Sequence, residues 1–258
     1  LPLPDALPLS GETAPSLLIT EWNLSSGGFD ARNDTFVGAA HTVASLIEMH
    51  RHGLGGATFF AAVDRHCSNR DVNPNGKQFC GDWGTASAAG ARKPVWHAFE
   101  LWQMLKGSTR TVTGADAAAG LWAIAADDAG TSRILVAAFS VAQPTDRRLR
   151  IAVAPQDRPR SVVIRRVDAT DSAGAATVAV LAAGADGIEV PLAANSVVLV
   201  ELRPAAPAAE ALSAGDRGAD QLPATGGPSP TAALFILAAA VAVSAARRRS
   251  HCVRSRAC

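Results

Sequence analysis

The chain has 258 residues, of which 48% are hydrophobic, so it is long enough for one large domain or two small ones. Its 24 lysines and arginines nearly balance its 23 aspartates and glutamates, and a net charge of +1 gives no electrostatic basis for binding nucleic acid. Residue 1 is Leu, and no charged segment followed by an apolar run stands at the start, so we expect a fragment or a processed product.

The first predicted strand follows a proline-rich lead-in at residues 1–15. It lies in the run Leu-Leu-Ile-Thr-Glu-Trp-Asn at 17–23, where consecutive apolar residues favour a parallel strand covered on both faces. A buried charge is costly unless it is paired or used. Glu21 at the end of this strand is therefore either a catalytic carboxylate or a structural acid held in a salt bridge.

Two amphipathic helices are predicted. The first is capped by Asn33 or Asp34 and carries apolar residues at helical spacing from Phe36 to Ile47. Its cationic end at 50–52 complements the negative end of the helix dipole, and we read it as a solvated helix end rather than a metal site. The second helix begins at Pro94 and ends near Gly107.

Between the helices, residues 57–64 form a second apolar run, which predicts a strand ending at Asp64 as the first ends at Glu21. The next loop contains Cys67 and Cys80, which form either a disulfide, as in exported proteins, or two free thiols. The pair lacks the two-by-two arrangement of a zinc site, so no metal is expected there.

These elements resemble the end of the catalytic barrel of family 39 glycoside hydrolases, the β-xylosidase and α-L-iduronidase group of a retaining clan with two catalytic glutamates. Five pieces match in order and spacing: LLITEWN (17–23), ND (33–34), FFAAVD (59–64), FCGDWGTAS (79–87) and RKPVWHAFELWQML (92–105). The resemblance implies that residues 16–110 hold the last two β/α units of a (β/α)8 barrel, with Glu21 as the nucleophile on the seventh strand. It implies no cofactor and no metal.

The resemblance also implies sugar contacts, for which the candidate residues are Trp22, Asn23, Phe60, Asp64, His66 and Trp83. Phe60 stands where the family commonly has a Trp as the floor of the sugar subsite, and Phe offers a smaller face and no N–H donor. Asp64 and His66 either line the site or serve as hydrogen-bond partners within the loop. Trp83 is either a stacking platform or a buried loop anchor.

A retaining glycosidase also needs an acid/base carboxyl about 5 Å from the nucleophile. In the family this residue follows an Asn in an Asn-Glu pair, and the present sequence contains no such pair. We therefore expect the chain as it stands to be catalytically incompetent.

From Thr111 the period of the sequence changes to that of short strands. Residues 121–126 and 133–141 flank a hairpin loop at 127–131. Further strands are predicted at 148–153, 161–167, 177–181, 187–192 and 196–202. This pattern predicts an all-β domain at 111–203, a sandwich in a structural accessory role rather than an independent carbohydrate-binding module.

The C-terminal region reads as a linker at 204–221 and a sorting signal at 222–258. The sequence Leu222-Pro223-Ala224-Thr225-Gly226 resembles the sortase motif of Gram-positive surface proteins, and an apolar segment (232–246) and a basic tail (247–258) follow it. The apolar segment, a single hydrophobic helix, is shorter than the roughly 20 residues that span a bilayer, so it would hold the chain in the membrane only transiently. The resemblance implies that sortase joins Thr225 to peptidoglycan.

The expected protein is thus a secreted, cell-wall-anchored retaining glycoside hydrolase acting on a carbohydrate, represented by its C-terminal part. The alternatives are a surface adhesin or carbohydrate-binding protein without catalysis, and a fragment that does not fold. The sequence does not identify the sugar.

Overall fold

The computed structural model describes residues 17–71, 73–153, 159–182 and 184–205. The elements in chain order are β1 (Leu18–Trp22), α1 (Phe36–Arg51), β2 (Gly56–Phe59), α2 (Pro94–Gln103), β3 (Ser108–Arg110), β4 (Leu121–Asp128), β5 (Thr131–Ala138), β6 (Arg147–Ala152), β7 (Arg160–Val167), β8 (Ala176–Leu181), β9 (Gly187–Leu192) and β10 (Ser196–Pro204). A short 3-10 helix, Ala31–Asp34, precedes α1.

The predictions for the lead-in, for most of the linker and for the whole sorting signal lie outside the described residues. The linker was predicted to begin at residue 204, but this residue, Pro204, is still the last residue of β10. No helix in the described ranges is long and apolar enough to cross a membrane.

The N-terminal part alternates strand, helix, strand and helix in the predicted order. β1 and β2 pair in parallel, with Leu18 opposite Gly56 and Trp22 opposite Phe59. The prediction that β1 is covered on both faces is wrong, because Leu18 is 60% exposed. In the described part of the chain β2 is the only strand paired with β1, so the sheet here has two strands.

Helix α1 begins one or two residues later than the sequence suggested, because the predicted cap was Asn33 or Asp34. Thr35 is its N-cap and accepts a hydrogen bond from the backbone N–H of Val37, at 3.3 Å. The predicted caps, Asn33 and Asp34, instead lie in the preceding 3-10 helix, which Asp30 caps. Their side chains are thereby free to bond to a distant loop.

The second strand is also shorter than predicted. β2 ends at Phe59, and the Phe60–Ala61 peptide bond that follows is cis. Asp64 therefore does not terminate the strand, and it lies in a loop beyond it. The chain near Asp64 is held instead by an isolated bridge between Val63 and Ala86.

The C-terminal part contains a six-stranded antiparallel sheet in the order β3-β4-β5-β10-β7-β8 and a two-stranded ribbon, β6-β9. The predicted hairpin is present: β4 and β5 are joined at Ala129 and Gly130, whose φ angles are 46° and 80°. Positive φ at both central residues is the geometry of the turn that matches strand twist. β3 was not predicted, and it lies inside the range assigned to the barrel, so the β part begins before Thr111.

The six-stranded sheet has a hydrophobic core on each face. On one face α1 and α2 pack against buried residues that include Leu135, Val167 and Leu199. On the other face Val190 and Leu192 of the ribbon pack against the same sheet. Because both helices rest on this sheet, it fixes the β/α part relative to the β part.

Candidate functional site

Glu21 lies near the C-terminal end of β1, where its side chain is exposed. Within the described residues it makes no hydrogen bond and no ion pair. A structural acid would need a basic partner, and the Glu21 carboxylate has none among the described residues. This part of the chain therefore does not support the interpretation of Glu21 as a structural acid. Its oxygens are open to a ligand.

Asn23 joins the end of β1 to two other loops. Its side-chain amide donates to the carbonyl of Phe60 and, at 3.0 Å, to the carbonyl of Trp83. Its oxygen accepts from the backbone N–H of Leu24 at 2.6 Å. Since both N–H groups and the oxygen are engaged with the protein, Asn23 holds the loops of Phe60 and Trp83 at the end of β1 rather than offering its amide to a ligand.

Trp22 ends β1, just after an irregularity in its pairing with β2 between Ile19 and Trp22. Its ring meets Phe59 edge to face, with the centroids 4.9 Å apart, and lies 6.5 Å from the ring of His41 on α1. The structure thus places Trp22 between the sheet and the helix layer. The contact between Trp22 and a sugar, implied by the resemblance, stays a prediction.

Four rings gather beside the loops that Asn23 joins. The ring of Trp83 lies 5.5 Å from Phe60 and 6.1 Å from His66, and Phe29 lies 6.2 Å from His66. Arg65 lies over the ring of Phe60 at 5.8 Å. The sequence prediction missed Phe29, which has φ = 67° in a glycine-rich loop, an unusual backbone position for a bulky residue.

Trp83 combines the two roles left open by the sequence. Its indole N–H donates to the carbonyl of Ser25 at 3.1 Å, which anchors the ring to the loop after β1. The six-membered ring of the indole packs so closely on Gly28 that an added Cβ there would lie 3.4 Å from it. The residue is nevertheless only partly buried, so part of the indole remains available for stacking.

Asp64 is buried, so of the two roles left open by the sequence the structure favours that of a hydrogen-bond partner within the loop. It is 3% exposed, and its Oδ1 lies 2.6 Å from Nζ of Lys93, whose side chain is completely buried. The same ammonium lies 2.7 Å from Asp34 and donates to the carbonyl of Asp82 at 2.9 Å. Burial raises the pKa of Asp64 above its ordinary value, against the lowering effect of Lys93.

The sequence reading overlooked Lys93, although one signal was present. A lysine at the N-cap of a helix opposes the positive end of the dipole, and Lys93 immediately precedes Pro94, the first residue of α2. A cation at this position is tolerated where nearby carboxylates form ion pairs with it. Asp34 and Asp64 supply them from two other segments.

Asp82 fixes the backbone of the loop before Trp83. One carboxylate oxygen accepts from the N–H groups of Arg65 and His66, at 2.7 and 2.8 Å, and the other accepts from the N–H of Trp83 at 3.0 Å. Burial opposes ionisation, but these backbone hydrogen bonds outweigh it and hold the pKa of Asp82 below its ordinary value. The His66 side chain is half exposed and can face a ligand.

A disulfide joins Cys67 to Cys80 and closes the loop between them. Asp64, Cys67 and Asp82 lie close enough together to suggest a metal site. A disulfide sulfur is not a thiolate, however, and the two carboxylates already serve Lys93 and backbone N–H groups. The cluster therefore does not offer a vacant ligand set.

The sequence matches no protein-family model and no curated protein. Its structure is similar to that of a monomeric β-xylosidase from Caulobacter crescentus, with a TM-score of 0.59 and 19% identity over 76% of this chain and 47% of that chain. A family 39 enzyme from Xanthomonas axonopodis pv. citri gives a TM-score of 0.55 and 23% identity, over 74% of this chain and 45% of that one. A glucosidase from Croceicoccus marinus gives a TM-score of 0.58 and 21% identity, over 74% of this chain and 46% of that one.

The fold is glycosidase-like. A family 30 endoxylanase from Clostridium papyrosolvens is similar too, with a TM-score of 0.50 and 13% identity. The chain spans less than half the length of each of these solved structures. At this level of identity the likeness concerns the fold, and the chemistry must be argued from the residues at the end of β1.

Proposed function

We propose that the protein is a retaining glycoside hydrolase of the family 39 type, represented by its C-terminal part and displayed on the cell wall of a Gram-positive bacterium. One observation carries this proposal. In a glycosidase-like fold, the Glu21 carboxylate has no partner among the described residues and lies near the end of a parallel strand, two residues before the amide that joins Phe60 and Trp83 to that strand.

In the proposed mechanism, the Glu21 carboxylate attacks the anomeric carbon of a bound glycoside, and the bond to the leaving-group oxygen breaks. A second carboxyl donates the proton to that oxygen, and then withdraws a proton from the water that hydrolyses the glycosyl-enzyme. We assign this second carboxyl to a part of the protein outside the present sequence, which lacks an Asn-Glu pair.

The aromatic cluster would hold the sugar. The exposed part of Trp83 offers a flat apolar surface to the C–H groups of a sugar ring, and the half-exposed imidazole of His66 can hydrogen-bond a hydroxyl. Asn23 and Asp82 hold the backbone under these rings through direct hydrogen bonds. Because the loops are already ordered before the sugar binds, the binding free energy is not used to order them. It can instead orient the anomeric carbon.

The test uses the product of the complete open reading frame and a panel of aryl glycosides: xyloside, glucoside, arabinoside and iduronide. We expect hydrolysis of at least one, and a loss of kcat of about a thousandfold or more in Glu21→Gln. Glu189→Gln is the control, because Glu189 is an exposed carboxylate on β9. A 2-deoxy-2-fluoro glycoside of the accepted sugar should add its glycosyl mass to the peptide containing Glu21. Glu21→Gln retaining activity within tenfold of the parent would refute the assignment.

A non-catalytic carbohydrate-binding protein is the second candidate, favoured by the aromatic cluster, which does not depend on Glu21. Isothermal titration with xylo- and gluco-oligosaccharides separates the two functions. Binding without hydrolysis, unchanged in Glu21→Gln and lost in Trp83→Ala, would favour the binding protein. The indole of Trp83 is only partly buried, so part of its surface is available for stacking.

The wall attachment rests on the sequence from Leu222 to Gly226 and on the apolar and basic segments that follow it. Purified cell walls digested with a muramidase should release a product whose C-terminal Thr225 carries a peptidoglycan stem peptide. Thr225→Ala should abolish this product and leave the protein in the membrane or the medium. A wall-bound product in Thr225→Ala would contradict sortase attachment.

A further inference from the structure

Strand β8 is the open edge of the six-stranded sheet, and it pairs only with β7 among the described strands. Val178 and Val180 are 66% and 73% exposed, and every residue of β8 except the last is exposed. Among the described residues, only Leu181 at the end of β8 packs against a core, the one that includes Val190 and Leu192 of the ribbon. An apolar strand with a free row of N–H and C=O groups is a template for pairing with another strand.

The sequence of β8 is suited to pairing with a copy of itself. It reads Ala-Thr-Val-Ala-Val-Leu and contains no charge, so an antiparallel pair opposes no like charges. With Ala179 at the centre, Val178 of one copy lies opposite Val180 of the second copy, and Thr177 lies opposite Leu181. Cross-strand pairs of β-branched residues stabilise a sheet, and two valine pairs form on the same face.

The geometry of the sheet is compatible with this pairing. Val178 and Val180 lie beside Val163 and Ser161 of β7, on the face that carries α1 and α2 near the other strands. Residues 176–180 of β8 are exposed, so within the described part of the chain a strand added beside them meets no covering layer. Many proteins protect such an edge with a lysine or a proline, and β8 has neither.

We propose that this edge binds a second copy of the chain through an antiparallel β8–β8 junction, which joins two six-stranded sheets into one of twelve strands. Two short strands bury less than the roughly 1,200 Å² of a stable interface. The dimer is therefore weak, with a dissociation constant between about 1 µM and 1 mM. The inference does not depend on the carbohydrate chemistry of Glu21.

The experiment compares the chain with Val178→Lys/Val180→Lys and with the control Val141→Lys, all carrying Cys252→Ser and Cys258→Ser. Val141 is 65% exposed and lies outside the strands, so it matches the tested valines in exposure. Sedimentation equilibrium should show the parent and the control moving from monomer toward dimer with concentration. The double lysine variant should need at least a tenfold higher concentration for the same fraction of dimer.

The register is tested in the same background by a single cysteine. Ala179→Cys places two thiols opposite each other at the centre of the junction, close enough for a disulfide. We expect mild oxidation to give a covalent dimer for Ala179→Cys, much less for Val141→Cys, and none when the two lysines are present. A monomer at all concentrations, self-association that the lysines do not weaken, or equal crosslinking at 179 and 141 overturns the proposal.

Discussion

Replacing Lys93 with Met removes the cation from a buried network while keeping most of the side-chain volume. Nζ of Lys93 lies 2.6 Å from Asp64 and 2.7 Å from Asp34, and the side chains of Lys93 and Asp64 have no exposed surface. Removing one partner of a buried ion pair leaves the other charge uncompensated, at a cost of about 3–5 kcal/mol. An exposed pair contributes only about 0–1 kcal/mol, so the magnitude distinguishes the two situations.

Urea unfolding followed by tryptophan fluorescence measures this change. We expect Lys93→Met to lower the free energy of unfolding by about 3–5 kcal/mol, which corresponds to a drop in Tm on the order of 10 °C for a protein of this size. Lys106→Met is the matched control, because Lys106 is exposed just after α2, and its effect should stay within about 0.5 kcal/mol.

A second variant tests the cause. In Lys93→Met/Asp64→Asn the uncompensated carboxylate is replaced by a neutral amide that still accepts the N–H of Gly84, which Asp64 accepts at 2.9 Å. We expect part of the lost stability to return. The reasoning is refuted if Lys93→Met lowers the free energy of unfolding by less than about 1 kcal/mol. It is also refuted if the double variant is less stable than Lys93→Met alone.

Three further predictions concern stability. Burial, aided by the charge of Arg32, lowers the pKa of His41 from 6.5 to about 4. As the pH falls, the unfolded chain therefore binds a proton at His41 before the folded chain does. The free energy of unfolding should decrease by about 3 kcal/mol between pH 6.5 and about pH 4. Unfolding curves of His41→Gln should lack this part of the pH dependence, and those of the exposed control His52→Gln should keep it. Cys67→Ser/Cys80→Ser should lose about 3 kcal/mol in urea, and an equally stable variant would contradict the role of the crosslink. Asn23→Ala should lose about 1–2 kcal/mol by the same measurement, since two loop carbonyls lose their donor.

At the candidate site, the sequence was informative about which residues are present and much less about what each one does. The order of pieces around Glu21 pointed to a glycosidase-like fold, which the solved structures support. The resemblance implied a sugar contact for Asn23, and the sequence left Asp64 as either a residue of the site or a hydrogen-bond partner within the loop. Their actual partners, the carbonyl of Trp83 and the ammonium of Lys93, are 60 and 29 residues away in the chain. No local pattern encodes such pairings.

The local geometry of the β part was set by the sequence alone, because alternation of apolar residues and a two-residue turn act over a few neighbours. Strands β4 to β10 accordingly fall within a few residues of their predicted bounds. Only the tertiary structure decided that β10 lies between β5 and β7, that Trp22 faces α1, and that β8 is at the edge of the sheet formed by the described strands. These outcomes depend on which distant segments of the chain come into contact and which surfaces they bury. The local propensity of a segment carries no information about its distant contacts.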